Sequence, residues 1–480
     1  MRQVTVPFLP TDASCSTGLS NRIQVSQTTA TLLKAAGKEH WLEQRDDSVL
    51  AKGKGVLNTF WLVPKGQDSQ EPVVEPMSNL SSSDNFPDDN SSEIAAKKHR
   101  LIDWVVELLI ERLKLVVAKR STRSKKGTIR NSSLKMHEND GREGCTVLDE
   151  VVEAIDLPKF DEKNVVQSSS KNVNIDQQVI RELHEFVSVI ASTYRDNPFH
   201  NFEHACHVTL TVDKFLKRIV SPDLEIEQST SHGAAMAQLH DYTHGITSDP
   251  LTLFAIVFSA LIHDVDHRGI SNTRLIEEEP TMAEHYKYQS IAEQNSVDLS
   301  WNLLMSKNFA NLCACIFDNQ QSELKRFRQV VINVVLATDI FDKNLNDLRK
   351  NRWEKAFNGA QVGDDGNGLK ATIVIEHIIQ ASDVAHTMQH WHIYRKWNHR
   401  LFKELYDAYK RGRMTADPST FLYKGELAFF DNYIIPLAKK LKDCNVFGVS
   451  SDECLNYALQ NRAEWEARGQ EILQEVLAQL

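Results

Sequence analysis

The sequence predicts an all-α protein with a small piece of different character at its N-terminus. Two observations carry the fold class. From about Asn172 onward apolar residues recur with a helical period over long segments, and the strict alternation of half-buried strands is scarce. That region is about 300 residues long, which suits one large helical domain. Long helices are expected over Val179–Arg195, Glu203–Ile219, Leu251–His263, Phe327–Ile340, Lys370–Lys410 and Lys424–Leu441. Leu251 to Ile262 is apolar throughout, the pattern of a buried helix. It falls short of the ~18 residues that a membrane span needs.

The chain then divides as follows. Residues 1–66 form a short N-terminal piece. Residues 67–94, rich in Ser, Asp, Asn and Pro, read as a disordered linker. Residues 95–119 read as an amphipathic helix, with Leu101, Val105, Leu108, Leu109, Leu113 and Val116 on one face. Its expected role is packing, on the main domain or on a second helix in self-association; acidic residues on its polar face weigh against a membrane surface. Residues 120–171 read as a linker that begins basic and Ser-rich, a solvated stretch or a phosphorylation target. The main domain covers 172–480.

Composition narrows the function. A net charge of −10 argues against a general nucleic-acid binder, which needs a clustered basic surface. The seven cysteines contain no CxxC pair and point to a reducing compartment. Met1–Pro10 lacks the basic start and apolar run of a signal peptide, so the expected location is cytoplasmic.

Two histidine clusters carry the chemistry. His200-Asn201-Phe202-Glu203-His204 places two imidazoles four residues apart, on one face of a helix. His263-Asp264-Val265-Asp266-His267 follows the apolar helix, where unpaired burial would cost several kcal/mol and calls for a cation or a polar network. Asp383 ends another apolar stretch, Ile373–Ala381. Imidazole with carboxylate and no thiolate suits a hydrolytic metal centre better than a structural zinc.

His200 to Ala205 as HNxxHA, His263 to Asn272 as HDxDHxGxxN, the pair Thr338-Asp339 and the late Asp383 together resemble the class I 3′,5′-cyclic nucleotide phosphodiesterases, over roughly residues 175–465. The resemblance implies a compact multi-helix catalytic domain of the HD type. It implies that His204, His263, Asp264 and Asp383 hold a tightly bound Zn²⁺, with Asp264 bridging to Mg²⁺ or Mn²⁺. Glu293 and Thr338 would orient waters on the second metal, His267 would lie beside the bridging solvent, and Asp266 would fix a histidine tautomer. Metals about 4 Å apart would activate a bridging hydroxide. His200 would protonate the leaving 3′ oxygen, giving a 5′-nucleoside monophosphate.

Substrate contacts follow the same resemblance. Phe429 matches a ring that stacks on the base, and Tyr394, Trp397 and Leu401 match pocket walls. Glu426 stands where the family has a base-reading glutamine. An ionised carboxylate only accepts, which suits the two donors of guanine and tilts the expectation toward cGMP over cAMP. His386 replaces an Asn that holds the nucleotide, Phe199 a Tyr, His207 an Asp, and Asn295-Ser296 a His-His pair. Two rival readings are a helical phosphohydrolase for another nucleotide and an inactive nucleotide-binding scaffold.

Ser20–Ser26 and Lys52–Leu62 resemble the C-terminal end of a class III nucleotide cyclase domain, an α/β remnant. A piece of that size cannot bury a full cyclase core. The expectation is a cyclase–phosphodiesterase fusion shortened at its start, without cyclase activity, and tethered to a membrane if its parent is of the receptor type.

Overall fold

The computed structural model describes residues 23–35, 41–45, 49–51, 55–57, 59–62, 89–123, 144–160, 173–219, 232–358, 366–447 and 452–479. The expectations for residues 1–22, for 67–88 of the first linker and for 124–143 and 161–171 of the second fall outside them. The chain divides into two units, Met1–Phe86 and Pro87–Leu480.

In the first unit β1 (Ile23–Ser26) leads directly into α1 (Gln27–Ala35), followed by β2 (Leu42–Gln44), β3 (Val49–Ala51), β4 (Gly55–Leu57) and β5 (Thr59–Leu62). The sheet order is β1-β5-β2, both pairings antiparallel, with β3 and β4 as a separate pair. Phe60 and Trp61 point to opposite faces of the central strand and both are buried. Lys34 of the helix lies over Phe60, and Arg45 over Trp61.

The second unit is helical. It begins with α2 (Asp89–Arg123), α3 (Gln177–Thr193), α4 (Phe202–Arg218), α5 (His232–Tyr242) and α6 (Pro250–Ile262). Short helices α7 (Asn272–Glu278) and α8 (Pro280–His285) precede α9 (Ile291–Leu304), α10 (Ala310–Phe317), α11 (Gln321–Leu336) and α12 (Lys343–Trp353). Then come α13 (Gly366–Asp383), α14 (Trp391–Lys410), α15 (Pro418–Phe429), α16 (Ile435–Asp443) and α17 (Glu453–Leu477).

Helix α6 is the hub. Every residue from Leu251 to Ile262 is buried, as its all-round apolar sequence requires. Asp249 caps its start by accepting from the Thr252 N–H, and Pro250 occupies the first turn, where no donor is needed. Helices α2, α4 and α11 pack around it. The apolar face of α2 (Ile102, Val105, Leu109, Leu113, Val116) is covered within this unit. Arg112 and Asp213 form a buried ion pair that ties α2 to α4.

Three expectations need correction. Residues 144–160 are not a free linker. Val147 and Ile155 are buried, and Asn333 of α11 grips both the N–H and the carbonyl of Val152. The helix expected over Lys370–Lys410 breaks between Asp383 and Trp391, because Asn461 of α17 supplies donors to the carbonyls of Thr387 and Gln389 that the break exposes. The helix over Lys424–Leu441 widens into a π turn at Phe430–Ile434, which accommodates Pro436, a residue that lacks an N–H and crowds the preceding turn.

Candidate metal centre and acid pair

The ends of three helices converge. Helix α4 starts with Asn201 as its cap, the side chain accepting from the His204 N–H, and this sets His204 on the first inward-facing turn. Helix α6 ends at His263, with Asp264 in the turn beyond, and α13 ends at Asp383. One ligand atom from each of His204, His263, Asp264 and Asp383 lies within 4.8 Å of the others. Nε2 of His204 is 3.0 Å from Oδ1 of Asp383 and 3.7 Å from Oδ2 of Asp264. Nε2 of His263 is 3.1 Å from that same Asp264 oxygen.

This arrangement fits a divalent cation. Nδ1 of His263 lies 2.9 Å from the carbonyl of Ala260, so the ring hydrogen sits there and Nε2 presents a lone pair. That Nε2 is buried and has no hydrogen-bond partner of good geometry. An orphaned lone pair facing two carboxylates is what a metal ligand requires and what an ordinary core histidine avoids. Burial pulls the His263 imidazole down, but Asp264 and Asp383 outweigh it and draw a proton onto the ring. A dication would supply that positive charge instead.

Beside this set lies a second group, His200, His267 and Glu404. Glu404 of α14 bonds Nδ1 of His200 with one oxygen and accepts the backbone N–H groups of Phe199 and His200 with the other, at 2.8 and 2.9 Å. Burial would lower the His200 pKa, yet Glu404, with Asp264 and Asp383, raises it to about 9. The rings of His200 and His267 are 4.0 Å apart. Burial, and then His200, push His267 down to about 4, so it stays neutral. Its Nδ1 accepts from the Gly269 N–H, which leaves the hydrogen on Nε2. The site thus holds one charged and one neutral imidazole side by side.

A third patch gathers Glu293, Asn272, Ser290 and Asp339. Asn272 donates to Glu293 at 2.9 Å, and Ser290 to Asp339 at 2.8 Å. Burial and the Asp339 charge raise Glu293 to about 8. Thr338 adjoins this patch, its hydroxyl turned back onto the Val335 carbonyl at 2.7 Å. Asp266 departs from expectation. It adopts a left-handed backbone and gives its carboxylate to Arg195 and Asn295, at 2.7 and 3.4 Å, rather than to a histidine.

The pocket-wall residues connect to the centre through rings. Phe199 touches His200 and His204, and also His386 and Trp397. His386 is buried against Tyr394 and held neutral by burial and by His204, at about 3. The Tyr394 hydroxyl donates to Oε2 of Glu426 at 2.8 Å. Glu426 is 6% exposed, so it does not face solvent. Phe429 stacks on Tyr433. Leu401 is half-buried on the same face of α14 as Tyr394 and Trp397.

Glu404 is the residue that sequence reasoning passed over, and Asp339, quoted only as part of the Thr338-Asp339 pair, was given no role of its own. Glu404 had a usable signal: Tyr394, Trp397, Leu401 and Glu404 follow a three-four-three spacing, which puts a carboxylate on an otherwise apolar stripe.

The six described cysteines are free. Among the described residues no helix is long and apolar enough to cross a membrane.

A family model described as 3′,5′-cyclic nucleotide phosphodiesterase matches residues 199–448, just over half of the chain. A 3′,5′-cyclic-AMP phosphodiesterase of Drosophila melanogaster, isoform F, is 26% identical over 264 residues, covering 52% of this chain and 36% of its own length. A cGMP-specific 3′,5′-cGMP phosphodiesterase of Dictyostelium discoideum is 22% identical over 298 residues, covering 59% and 55%. The chain thus spans about half or less of the length of these relatives. Among solved structures, the phosphodiesterase domain of a RhoPDE fusion protein from the choanoflagellate Salpingoeca rosetta aligns with a TM-score of 0.48 and 22% identity, over 64% of this chain and 87% of that one.

Proposed function

The chain belongs to the 3′,5′-cyclic nucleotide phosphodiesterase family, and from that premise we propose that it hydrolyses cAMP, cGMP or both to 5′-nucleoside monophosphates in a metal-dependent reaction. The observation that carries this reading is the convergence of His204, His263, Asp264 and Asp383 around the orphaned Nε2 of His263, with a charged imidazole next to it. These four would hold Zn²⁺, and Asp264 would be shared with Mg²⁺ or Mn²⁺, near the Glu293, Thr338 and Asp339 patch. When bound, the metals supply a water acidic enough to attack at neutral pH and positive charge for the phosphate oxygens.

The chain's own residues do the rest. Glu404 occupies Nδ1 of His200, so the transferable proton sits on Nε2. Delivered to the departing 3′ oxygen, it spares that oxygen from leaving as an alkoxide. His267, neutral and with its hydrogen on Nε2, serves as a donor to solvent or phosphate without competing as an acid. Phe199, Trp397 and Tyr394 exclude water along one wall. Phe429 would stack on the base and Glu426 would read its edge, with His386 beside it.

Burial raises the Glu426 carboxyl to about 7, against a smaller opposing effect of the Tyr394 hydrogen bond. This refines the preference for cGMP. Ionised Glu426 favours the paired donors of guanine, and protonated Glu426 offers the donor and acceptor that a glutamine would. Both forms are populated near neutrality.

The N-terminal unit is read as resembling the C-terminal part of a class III cyclase domain, supported by its strand–helix order and its antiparallel β1-β5-β2 sheet. No cyclase activity is proposed for it.

The test is hydrolysis of cAMP and cGMP by the full chain, followed by chromatography of the 5′-monophosphates, with and without a chelator. Turnover that chelator abolishes and divalent metal restores supports the reading. A metal-loaded chain inert toward both nucleotides rules it out and favours the inactive binding scaffold.

A further inference from the structure

Glu203 stands between the general acid and a metal ligand, three residues after His200 and one before His204. Its position in the histidine motif gives it no role in the reaction described above. Its carboxylate joins two distant elements. Nζ of Lys97, on α2, lies 2.7 Å away, and Nη2 of Arg400, on α14, lies 3.2 Å away.

Both partners matter for the acid. Arg400 sits one turn before Glu404 on α14, and its guanidinium lies over the Trp397 ring at 4.7 Å. Trp397 in turn packs against Phe199 and His204. The turn that carries His200 is therefore gripped twice from α14, by Glu404 on the His200 backbone and ring and by Arg400 on Glu203. Lys97 grips the same turn from the opposite end of the sequence, 106 positions upstream.

Helix α2 is itself firmly seated. The buried Arg112–Asp213 pair fixes it to α4, and Lys119 reaches Asp249, the cap of α6, at 3.2 Å. It runs along the two helices that deliver His204 and His263. Its Lys97 end meets the acid-bearing turn.

We propose that Glu203 is a positioning residue for His200, and that through Lys97 it makes the helix Asp89–Arg123 part of the apparatus that aims the acid. The inference rests on the phosphodiesterase reading. Magnitudes decide what Glu203 is for. A partly exposed ion pair adds little to stability. Displacement of a reacting group by about 1 Å costs roughly a hundredfold in rate.

The test uses two substrates that differ in their need for an acid. A cyclic nucleotide expels an alkoxide and needs the proton, whereas bis(4-nitrophenyl) phosphate expels a stable phenolate and does not. In the full chain, Glu203→Gln is expected to lower kcat on the nucleotide about tenfold with little change in KM, and to leave aryl hydrolysis near wild type. Lys97→Met should show the same pattern more weakly. The double variant should be no slower than Glu203→Gln alone, because the two residues act through one contact. Melting temperatures identify a variant that fails to fold, and Lys97→Met, at a half-exposed side chain, then carries the test. An active wild type whose variants lose both activities equally, lose neither, or lose them additively overturns the inference alone. A wild type inactive on cyclic nucleotides overturns the phosphodiesterase reading together with it.

Discussion

Glu404 holds His200 at three points, the ring Nδ1 and the two backbone N–H groups that frame it. Such a grip sets both where the imidazole points and whether it is charged. Burial opposes the charge and Glu404 outweighs it, so His200 is protonated below about 9. An acid of this kind works when protonated, and activity is lost as pH rises through its folded value. Glu404→Gln keeps the shape of the contact and removes the charge. The expected outcome is a kcat lower by roughly 10–100-fold, a KM near wild type, and an alkaline limb displaced to lower pH. Steady-state kinetics between pH 6 and 10 check all three. An unmoved alkaline limb would mean that His200 is not the group whose proton is lost.

The two histidine clusters and Asp383 were legible because each lies at the end of a helix whose apolar stripe is plain in the sequence; the choice of four candidate ligands among them came from the family resemblance. Asn201 caps α4, the run Leu251–Ile262 points to His263, and Ile373–Ala381 points to Asp383. Glu404 was not legible in the same way. It meets His200 across 204 positions, and its one local signal, a carboxylate on the apolar stripe of Tyr394, Trp397 and Leu401, does not point to that partner. The break before Trp391 was equally hidden, since its carbonyls are satisfied by Asn461, more than 70 positions away. Residues 144–160 misled for the opposite reason. Their apolar residues Val147, Leu148, Val151, Val152 and Ile155 were there to be read, and their backbone is held by side chains far along the chain, Gln294, Asn333, Arg352 and Thr372 among them.

Removal of the candidate ligand Asp383 should act through the metal. Asp383→Ala takes away one carboxylate from a set of two imidazoles and two carboxylates. Bound zinc, measured by elemental analysis after gel filtration, is expected to fall well below one per chain, with turnover lost in parallel. In the wild type, chelator should lower the melting temperature and added zinc should restore it, because binding to the folded state alone stabilises it. Full zinc content and turnover in Asp383→Ala would overturn the ligand assignment.

The buried pair between α2 and α4 predicts a stability effect. Arg112→Met preserves much of the apolar stem but leaves Asp213, 2% exposed, without its guanidinium. Lys217 still reaches the other oxygen at 2.6 Å, which softens the loss. The expected destabilisation is about 3 kcal/mol, the lower end for a broken buried pair. Urea unfolding at neutral pH reads it as a lower midpoint. Arg112→Met with Asp213→Leu should recover much of the loss, since no charge is then buried alone. If the double variant is as unstable as the single one, packing rather than charge explains the effect.

The contact between Tyr394 and Glu426 predicts that base selectivity depends on pH. Tyr394 donates to Oε2, which leaves Oε1 and the remaining lone pairs for the nucleotide. Burial raises the carboxyl to about 7. Below that value Glu426 is protonated, and it can donate to the N1 of adenine while accepting from the N6 amino group. Above it the carboxylate only accepts, which matches N1–H and N2–H of guanine and repels the adenine N1. The ratio of kcat/KM for cGMP over cAMP should therefore rise between pH 6 and 8. One hydrogen bond left unmade in a closed site is worth about 1–3 kcal/mol, so a change of roughly tenfold is expected. Taking a ratio cancels every titration that affects both substrates alike, that of His200 included. Glu426→Gln has no proton to lose and should flatten the profile at an intermediate ratio. A ratio that stays constant in the wild type, or falls with pH, would mean that the base is read by another side chain.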